Sequence, residues 1–241
     1  MIRLLNVSCA YDGCPALRDV TLHVAPGETV ALIGPNGSGK STLLKLLNAV
    51  VLPDAGSYRF SGEEVSRQRL KDPGFARGLH QKIGFLFQRS DSQLFCPSVR
   101  EEIAFGPRQM GLSERDVAER VSDCAALLRI GQLMERAPWH LSEGEKRKVA
   151  LASVLALNPD VLTLDEPMNG MDPRTKRFLR ELLLSLGRAG KTILCATHDF
   201  AYVEGLFTRA VVFSEDHRIV REGPFETVVS DRDFLKSVNL A

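Results

Sequence analysis

The sequence predicts an α/β protein with a mixed, largely parallel sheet, an antiparallel β subdomain near the amino terminus and an inserted helical subdomain. Apolar runs rich in Val, Leu, Ile and Phe recur along the chain. Beyond residue 159 these runs alternate with helices, as in a parallel sheet with both faces covered. The strand-like runs are IRLLNVSC, VTLHV, ETVALIG, IGFLFQ, VLTLDE, TILCATH, AVVFS and RIVREG, and helical periodicity marks residues 39–50, 113–129, 143–157 and 173–187.

The chain is expected to form one domain over residues 1–241. Its composition, 44% hydrophobic and 25% charged, is globular, and its length suffices to bury a large core. A polar stretch after FLFQ indicates a boundary near Gln88, and the Asn158-Pro159 turn indicates a second one. We therefore expect a core over residues 1–87 that includes the antiparallel part, a helical subdomain over 88–157, and a return to the core over 158–241.

Composition and charge argue against several classes of protein. The net charge of +1 and the scattering of basic residues among acidic ones disfavour nucleic acid as a partner. The amino terminus lacks the apolar segment of a signal peptide, and no apolar run approaches the roughly 18–20 residues that span a bilayer. The five cysteines include no C-x-x-C pair and the five histidines are isolated, so neither a disulfide framework nor a transition-metal cluster is expected. These observations favour a cytosolic protein.

The stretch GPNGSGKS, residues 34–41, matches the phosphate-binding pattern G-x-x-x-x-G-K-S/T. It follows the apolar strand TVALIG and precedes the helical STLLKLLNAV, which is the context that the pattern requires. Backbone N–H groups of such a loop and the following helix start bind an anion. Lys40 is then expected to reach the terminal phosphates of a nucleotide, and the Ser41 hydroxyl to bind magnesium.

Two further strands are predicted to end at the same edge of the sheet. VLTLDE brings Asp165 and Glu166 to the carboxyl end of a buried strand, and KTILCATH ends in His198. Asp165 is expected to hold magnesium, and Glu166 to orient and deprotonate the attacking water. His198 is expected to sense the terminal phosphate, because two other strands already point there.

The stretch LSEGEKRKVALA has the local pattern of a capped helix. Ser142 and Glu145 form S-x-x-E, a capping box in which each side chain accepts a hydrogen bond from the other residue's backbone N–H. This local interpretation needs no ligand.

In this order the motifs resemble the ATPase subunit of ATP-binding cassette (ABC) systems, over nearly the whole chain from Ile2 to Gly223. The resemblance implies that Tyr11 stacks on adenine and that Gln88 contacts magnesium and water while following the membrane partner. It also implies that Asp172, in MNGMD, occupies the place of the loop that passes between two subunits. ATP and Mg²⁺ are the implied ligands. The implied phosphate-binding residues are Gly34, Pro35, Asn36, Gly37, Ser38, Gly39, Lys40, Ser41 and Thr42, and the implied magnesium contacts are Ser41, Gln88 and Asp165.

The stretch LSEGE falls at the family's signature, usually LSGGQ, which meets ATP bound on the opposite subunit. Ser142 and Gly144 are kept, whereas Glu143 replaces a glycine and Glu145 the glutamine. We expect Glu143 to point to solvent and Glu145 to fold back on the cap, with Lys146, Arg147 and Lys148 offsetting charge nearby. The resemblance implies a head-to-tail dimer, expected to be a homodimer, in which Ser142, Gly144 and Glu145 contribute to the partner's ATP site.

The segment FLFQRSDSQLFCPSVREEIAFGPRQMGLSERDV resembles energy-coupling factor importers, and within them the cobalt and nickel subgroup. That resemblance implies an ATP hydrolase at the cytoplasmic face of the membrane, docked on an integral-membrane coupling protein beside residues 88–95, with a separate membrane component that captures the substrate. An importer of vitamins or other small solutes is an alternative. A further alternative is an ABC ATPase that acts as a scaffold without a transporter.

Overall fold

The computed structural model describes residues 1–199, 203 and 205–240. The strands are β1 (Ile2–Tyr11), β2 (Cys14–Val24), β3 (Thr29–Ile33), β4 (Ala55–Phe60), β5 (Glu63–Glu64), β6 (Ile83–Leu86), β7 (Val161–Asp165), β8 (Thr192–Ala196), β9 (Arg209–Phe213) and β10 (Ile219–Pro224). The helices are α1 (Lys40–Leu47), α2 (Pro73–Lys82), α3 (Val99–Gln109), α4 (Glu114–Leu128), α5 (Glu143–Leu155), α6 (Pro173–Arg188), α7 (Phe225–Ser230) and α8 (Arg232–Ser237). Within the described ranges, no helix has the length and apolar character needed to cross a membrane.

The central sheet has the strand order β10-β9-β3-β8-β7-β6. Its strands pair in parallel from β9 to β6, and only β10 pairs antiparallel, as a hairpin with β9. Because parallel neighbours end at the same edge, the residues that follow β3, β6, β7 and β8 converge there. This edge carries the candidate site.

Both faces of the central sheet are covered. Along β3, Ala31 and Ile33 pack into a core shared with the helices α3 to α6, whereas Val30 and Leu32 pack into a second core under the amino-terminal sheet. That second sheet is antiparallel, in the order β2-β1-β4-β5. Because both faces are covered, every residue of β3, β7 and β8 is buried, and most of these residues are apolar instead of alternating with polar ones.

A chain of buried hydrogen bonds connects α1 to β7 and β6. The Asn48 amide donates to the Leu44 carbonyl (2.8 Å) and to the Thr163 hydroxyl (2.7 Å). That hydroxyl donates in turn to the Gly84 carbonyl (2.9 Å). Since Asn48 and Thr163 are both buried, these bonds satisfy groups that would otherwise be costly to bury. They hold the helix that follows the phosphate loop against the strand that ends in Asp165.

The predicted fold class is confirmed, and the four predicted helices occur within three residues of their predicted ends. The sequence interpretation missed β4, β5, α2, α3, α7 and α8. β4 has only two buried apolar side chains, Tyr58 and Phe60, and is held by pairing with β1 across more than forty residues of sequence. The start of α2 has a recognisable signal, because Asp72 caps it and Pro73 occupies its first turn. The division at residues 88 and 158 stays a prediction, although α3, α4 and α5 all lie between them.

We expect Thr163→Val to lower the free energy of unfolding by about 1–3 kcal/mol, because it removes two buried hydrogen bonds, one donated by the Asn48 amide and one accepted by the Gly84 carbonyl. Thr21→Val is a matched control: the Thr21 hydroxyl also accepts one bond and donates another, both with Asn6, but at an exposed position. Its cost should stay within about 0.5 kcal/mol. Urea denaturation measures both values, and equal costs would show that the buried chain of bonds contributes nothing special.

Candidate functional site

The phosphate loop lies between β3 and α1, and glycine is required at its end. Gly39 has φ 107°, and a Cβ there would lie 2.3 Å from the Ala16 carbonyl oxygen on β2. Gly39 immediately precedes α1 and offers no side chain to cap that helix, so the first N–H groups of α1 remain for another acceptor. The loop and the helix start therefore form the anion-binding arrangement that the sequence predicts.

Lys40 is buried within this loop. Its ammonium donates to the carbonyl oxygens of Gly34 (2.6 Å) and Pro35 (2.8 Å). Burial lowers the pKa of Lys40, and the carboxylates of Glu166 and Asp165 oppose that shift. A cation held by neutral carbonyls in this way keeps its charge available to phosphate oxygens.

A cavity of about 350 Å³ brings most of the predicted site together. It joins the phosphate loop, the end of β6 and the end of β7, as the parallel register requires. Its lining residues are Asn36, Gly37, Ser38, Gly39, Lys40, Ser41, Thr42, Gln88, Asp165 and Glu166.

The donors in this cavity fit a magnesium ion bound beside a phosphate group. The Ser41 hydroxyl and the Asp165 carboxylate both line the cavity, and both are the hard oxygen ligands that Mg²⁺ prefers. Burial raises the pKa of Asp165, while Ser41 and Lys40 oppose the shift. The buried Ser38 hydroxyl has no hydrogen-bond partner among the described residues, which also fits a loop built around a ligand. In the described part of the chain, no group of three or more His, Cys, Asp or Glu side chains is arranged so that it could hold a metal ion.

Glu166 and His198 lie side by side. Nδ1 of His198 is 2.8 Å from Oε1 of Glu166, and the imidazole is largely exposed while the carboxylate is mostly buried. Glu166 has φ 49°, a conformation rare for a residue with a side chain, and its N–H donates to the Ala196 carbonyl of β8 (3.0 Å). The neighbouring strand ends thus place both side chains where the sequence predicts them.

The capping box at the start of α5 is confirmed. The Glu145 carboxylate accepts from the backbone N–H of Ser142 (2.8 Å) and from its hydroxyl (2.7 Å), while the Ser142 hydroxyl accepts from the Glu145 N–H (3.4 Å). The Ser142 N–H and hydroxyl lower the pKa of Glu145. Glu143 points outward as expected and lies 3.6 Å from Lys146, which also binds Asp91 at 2.7 Å.

Arg147 differs from the sequence-based expectation. The sequence predicts Arg147 to be one of three cations that offset charge near the start of α5. In the structure its side chain is buried and turned toward the sheet edge. It donates to the Glu166 carbonyl (3.1 Å) and the Gln88 carbonyl (2.8 Å). Both acceptors are main-chain groups on segments remote in sequence, so no local pattern signals this position.

The remaining predicted residues lie away from the cavity lining described above. Tyr11 is 43% exposed at the end of the β1–β2 hairpin, opposite Cys14. Ser142 is exposed at the tip of α5. Asp172 caps α6 through the N–H groups of Arg174 (2.9 Å) and Thr175 (3.0 Å). The roles of Tyr11, Ser142, Gly144 and Glu145 toward ATP stay predictions.

Comparison with known proteins identifies the family. Residues 17–169 match the model of the ABC transporter family. The chain is 54% identical to a putative ABC transporter ATP-binding protein of Clostridium acetobutylicum, with full coverage of both chains. It is 46% identical to a nickel import ATP-binding protein of Lactiplantibacillus plantarum, covering 91% of each. It is 41% identical to the energy-coupling factor transporter ATP-binding protein EcfA of Methanothermobacter thermautotrophicus, covering all of this chain and 76% of that one.

Solved structures agree with this assignment. CbiO1 from Clostridium perfringens, part of the ABC transporter complex CbiONQ, superposes with a TM-score of 0.82 at 32% identity, covering 99% of this chain and 94% of that one. The ATP-binding cassette MJ0796, in a dimeric post-hydrolysis state bound to ADP and phosphate, superposes with a TM-score of 0.84 at 27% identity, covering 93% and 98%. The chain belongs to the ABC transporter family, as an ATP-hydrolysing subunit.

We expect Glu166→Gln to reduce ATP turnover by about 10²-fold or more, because an amide cannot accept the proton of the attacking water. ATP binding should persist, since the phosphate loop is unchanged. Steady-state phosphate release and binding of a fluorescent ATP analogue measure the two effects. Glu114→Gln, on α4 and outside the cavity, is the control. Undiminished turnover in Glu166→Gln would contradict the assignment of the base.

Proposed function

We propose that this chain is the ATPase subunit of a multi-subunit membrane importer for nickel or cobalt ions, acting at the cytoplasmic face of the membrane. The observation that carries the ATPase part is the single cavity that joins residues 36–42 to Asp165 and Glu166. The cargo is supported by the similarity to a nickel import ATP-binding protein and to CbiO1. The metal ion is cargo for the membrane components.

In the proposed reaction, the phosphate loop and Lys40 bind the terminal phosphates of ATP. Magnesium bound by Ser41 and Asp165, with Gln88 beside it, would neutralise developing charge. Glu166 orients the water and takes its proton, and its buried position excludes competing solvent. His198, 2.8 Å from that carboxylate, positions it and faces the terminal phosphate.

The proposed working unit is a head-to-tail dimer that encloses two ATP molecules. Ser142 is exposed at the start of α5, and the residues lining the cavity belong to the loop, β6 and β7 segments, which leaves the cap of α5 free to meet nucleotide bound to a second copy. The dimeric state of the similar cassette MJ0796 supports this arrangement. Because ATP would bind the closed dimer more tightly than the open one, ATP binding drives the closure of the dimer.

The proposed docking surface for the membrane coupling protein is an apolar groove beside Gln88. This groove has a volume of about 350 Å³, and Phe85, Phe87, Phe105 and Met110 are among its lining residues. The rings of Phe95 and Phe105 meet edge to face at 4.9 Å, and 64% and 41% of these residues are exposed. Exposed aromatic rings around an apolar groove are typical of a surface that binds a partner helix.

Ser142→Ala tests the proposed dimer. If Ser142 only caps α5, the substitution costs about 1 kcal/mol of stability and leaves the specific activity unchanged. We expect ATP turnover to fall by about 10²-fold instead, because the hydroxyl also meets the phosphate of the partner's ATP. Ser113→Ala is the matched control: Ser113 caps α4 through the Asp116 N–H and likewise donates to the carboxylate three residues on. Equal turnover in the two variants would reject the contact between subunits.

Uptake and copurification test the cargo and the groove. We expect the chain, expressed with its membrane partners, to support ATP-dependent uptake of nickel or cobalt into proteoliposomes.

A second experiment tests the groove. Phe105→Glu should abolish copurification with the membrane partners, whereas Val220→Glu, a similarly exposed apolar site on β10, should not. Uptake of a vitamin in place of a metal ion would reject the proposed cargo, and the absence of any membrane partner would favour the scaffold alternative.

A further inference from the structure

Arg147 joins three segments of the candidate site through one side chain. It lies on α5, five residues after Ser142, and only 8% of it is exposed. One guanidinium nitrogen donates to the Glu166 carbonyl at 3.1 Å, and the other donates to the Gln88 carbonyl at 2.8 Å. The helix that begins at Ser142 is thereby bonded to the ends of both β7 and β6.

Arginine suits these two bonds better than lysine does. Burial lowers the pKa of Arg147, whereas the carboxylates of Glu143, Asp165 and Glu166 raise it, so a buried cation is retained beside acidic groups. A guanidinium presents several N–H donors in a rigid plane and can bind two separate carbonyls at once. The ammonium of lysine, on a flexible chain without that planar fork, is less suited to hold both.

The Glu166 main chain depends on such contacts. Its φ of 49° places it in the left-handed region, which a residue with a side chain adopts only when its surroundings hold it there. The N–H of Glu166 is bonded to β8 at Ala196, and its carbonyl accepts from Arg147 and, at 3.2 Å, from the Asn169 N–H. Removing the guanidinium leaves the buried carbonyl with the weaker of these two bonds.

The Gln88 end of the connection leads into the apolar groove. Phe85 and Phe87, just before Gln88, and Gln93 just after it, all line that groove. The segment that lines the groove and the Glu166 carbonyl are therefore bonded to the same guanidinium, so a displacement of that segment would change the position of the Arg147 side chain.

We propose that Arg147 is a positioning residue for ATP hydrolysis, which holds the Glu166 carboxylate in its working place and ties that place to the Gln88 segment. The proposal rests on the roles proposed above for Glu166 and Gln88. It predicts a specific kinetic pattern, because Arg147 does not line the cavity and so does not contribute to nucleotide binding.

The test compares Arg147→Gln, Arg147→Lys and Arg120→Gln in the full chain. Arg120 is the matched control, since its guanidinium also donates to a main-chain carbonyl, that of Ala156 (2.8 Å), but within the helical region. We expect Arg147→Gln to lower kcat for ATP by about 10- to 100-fold with KM and the Kd for a fluorescent ATP analogue within about threefold of wild type. Arg147→Lys should recover part of kcat, and Arg120→Gln should stay within about twofold.

Thermal unfolding of each variant separates a local effect from loss of structure. A kcat for Arg147→Gln and Arg147→Lys equal to that of Arg120→Gln would overturn the proposal, as would a loss of kcat that is matched by an equal loss of ATP affinity. If Arg147→Gln does not fold, the KM and kcat of Arg147→Lys test the proposal in its place. If Glu166→Gln turns over ATP normally while both Arg147 variants are slow, the role proposed for Glu166 fails separately.

Discussion

The parallel pairing of β3, β8, β7 and β6 is the constraint on which the candidate site depends. Each pair runs in continuous register, so the phosphate loop, His198, Asp165 with Glu166, and Gln88 all follow strands that end at one edge. Apolar residues on both faces hold this register, because a slip of one residue would exchange the side chains of the two cores. The cavity at the sheet edge is a consequence of this pairing.

The carboxylates of Glu143 and Glu145, near the predicted phosphate position at the start of α5, are held by hydrogen bonds and ion pairs with neighbouring residues. Glu145 is held by the N–H and hydroxyl of Ser142, and Glu143 lies beside Lys146, which also binds Asp91. These contacts show how a signature with two glutamates keeps an ordered helix start. The Ser142 hydroxyl already donates a hydrogen bond to the Glu145 carboxylate. The proposed contact between this hydroxyl and a phosphate of the partner's ATP therefore requires that this bond be broken or rearranged.

Buried polar contacts connect the parts of the site behind the cavity. Asn48 and Thr163 bond α1 to β7 and β6, and Arg147 bonds α5 to the ends of the same two strands. Polar groups in such positions are costly unless all are satisfied, and a satisfied set permits few other arrangements. The site is therefore supported by directional bonds as well as by apolar packing.

Features that depend on local spacing can be predicted from the sequence alone. The phosphate loop, the capping box of Ser142 and Glu145, the helices α1, α4, α5 and α6 and the strand that ends in Asp165 all follow from residues close together in the chain. Contacts between segments distant in sequence determine the rest: the pairing of β4 with β1 and the inward turn of Arg147. Of the adjacent cations Lys146, Arg147 and Lys148, only Arg147 is buried. The packing of α5 against the sheet decides this, because burial depends on the assembled elements and not on the helix alone.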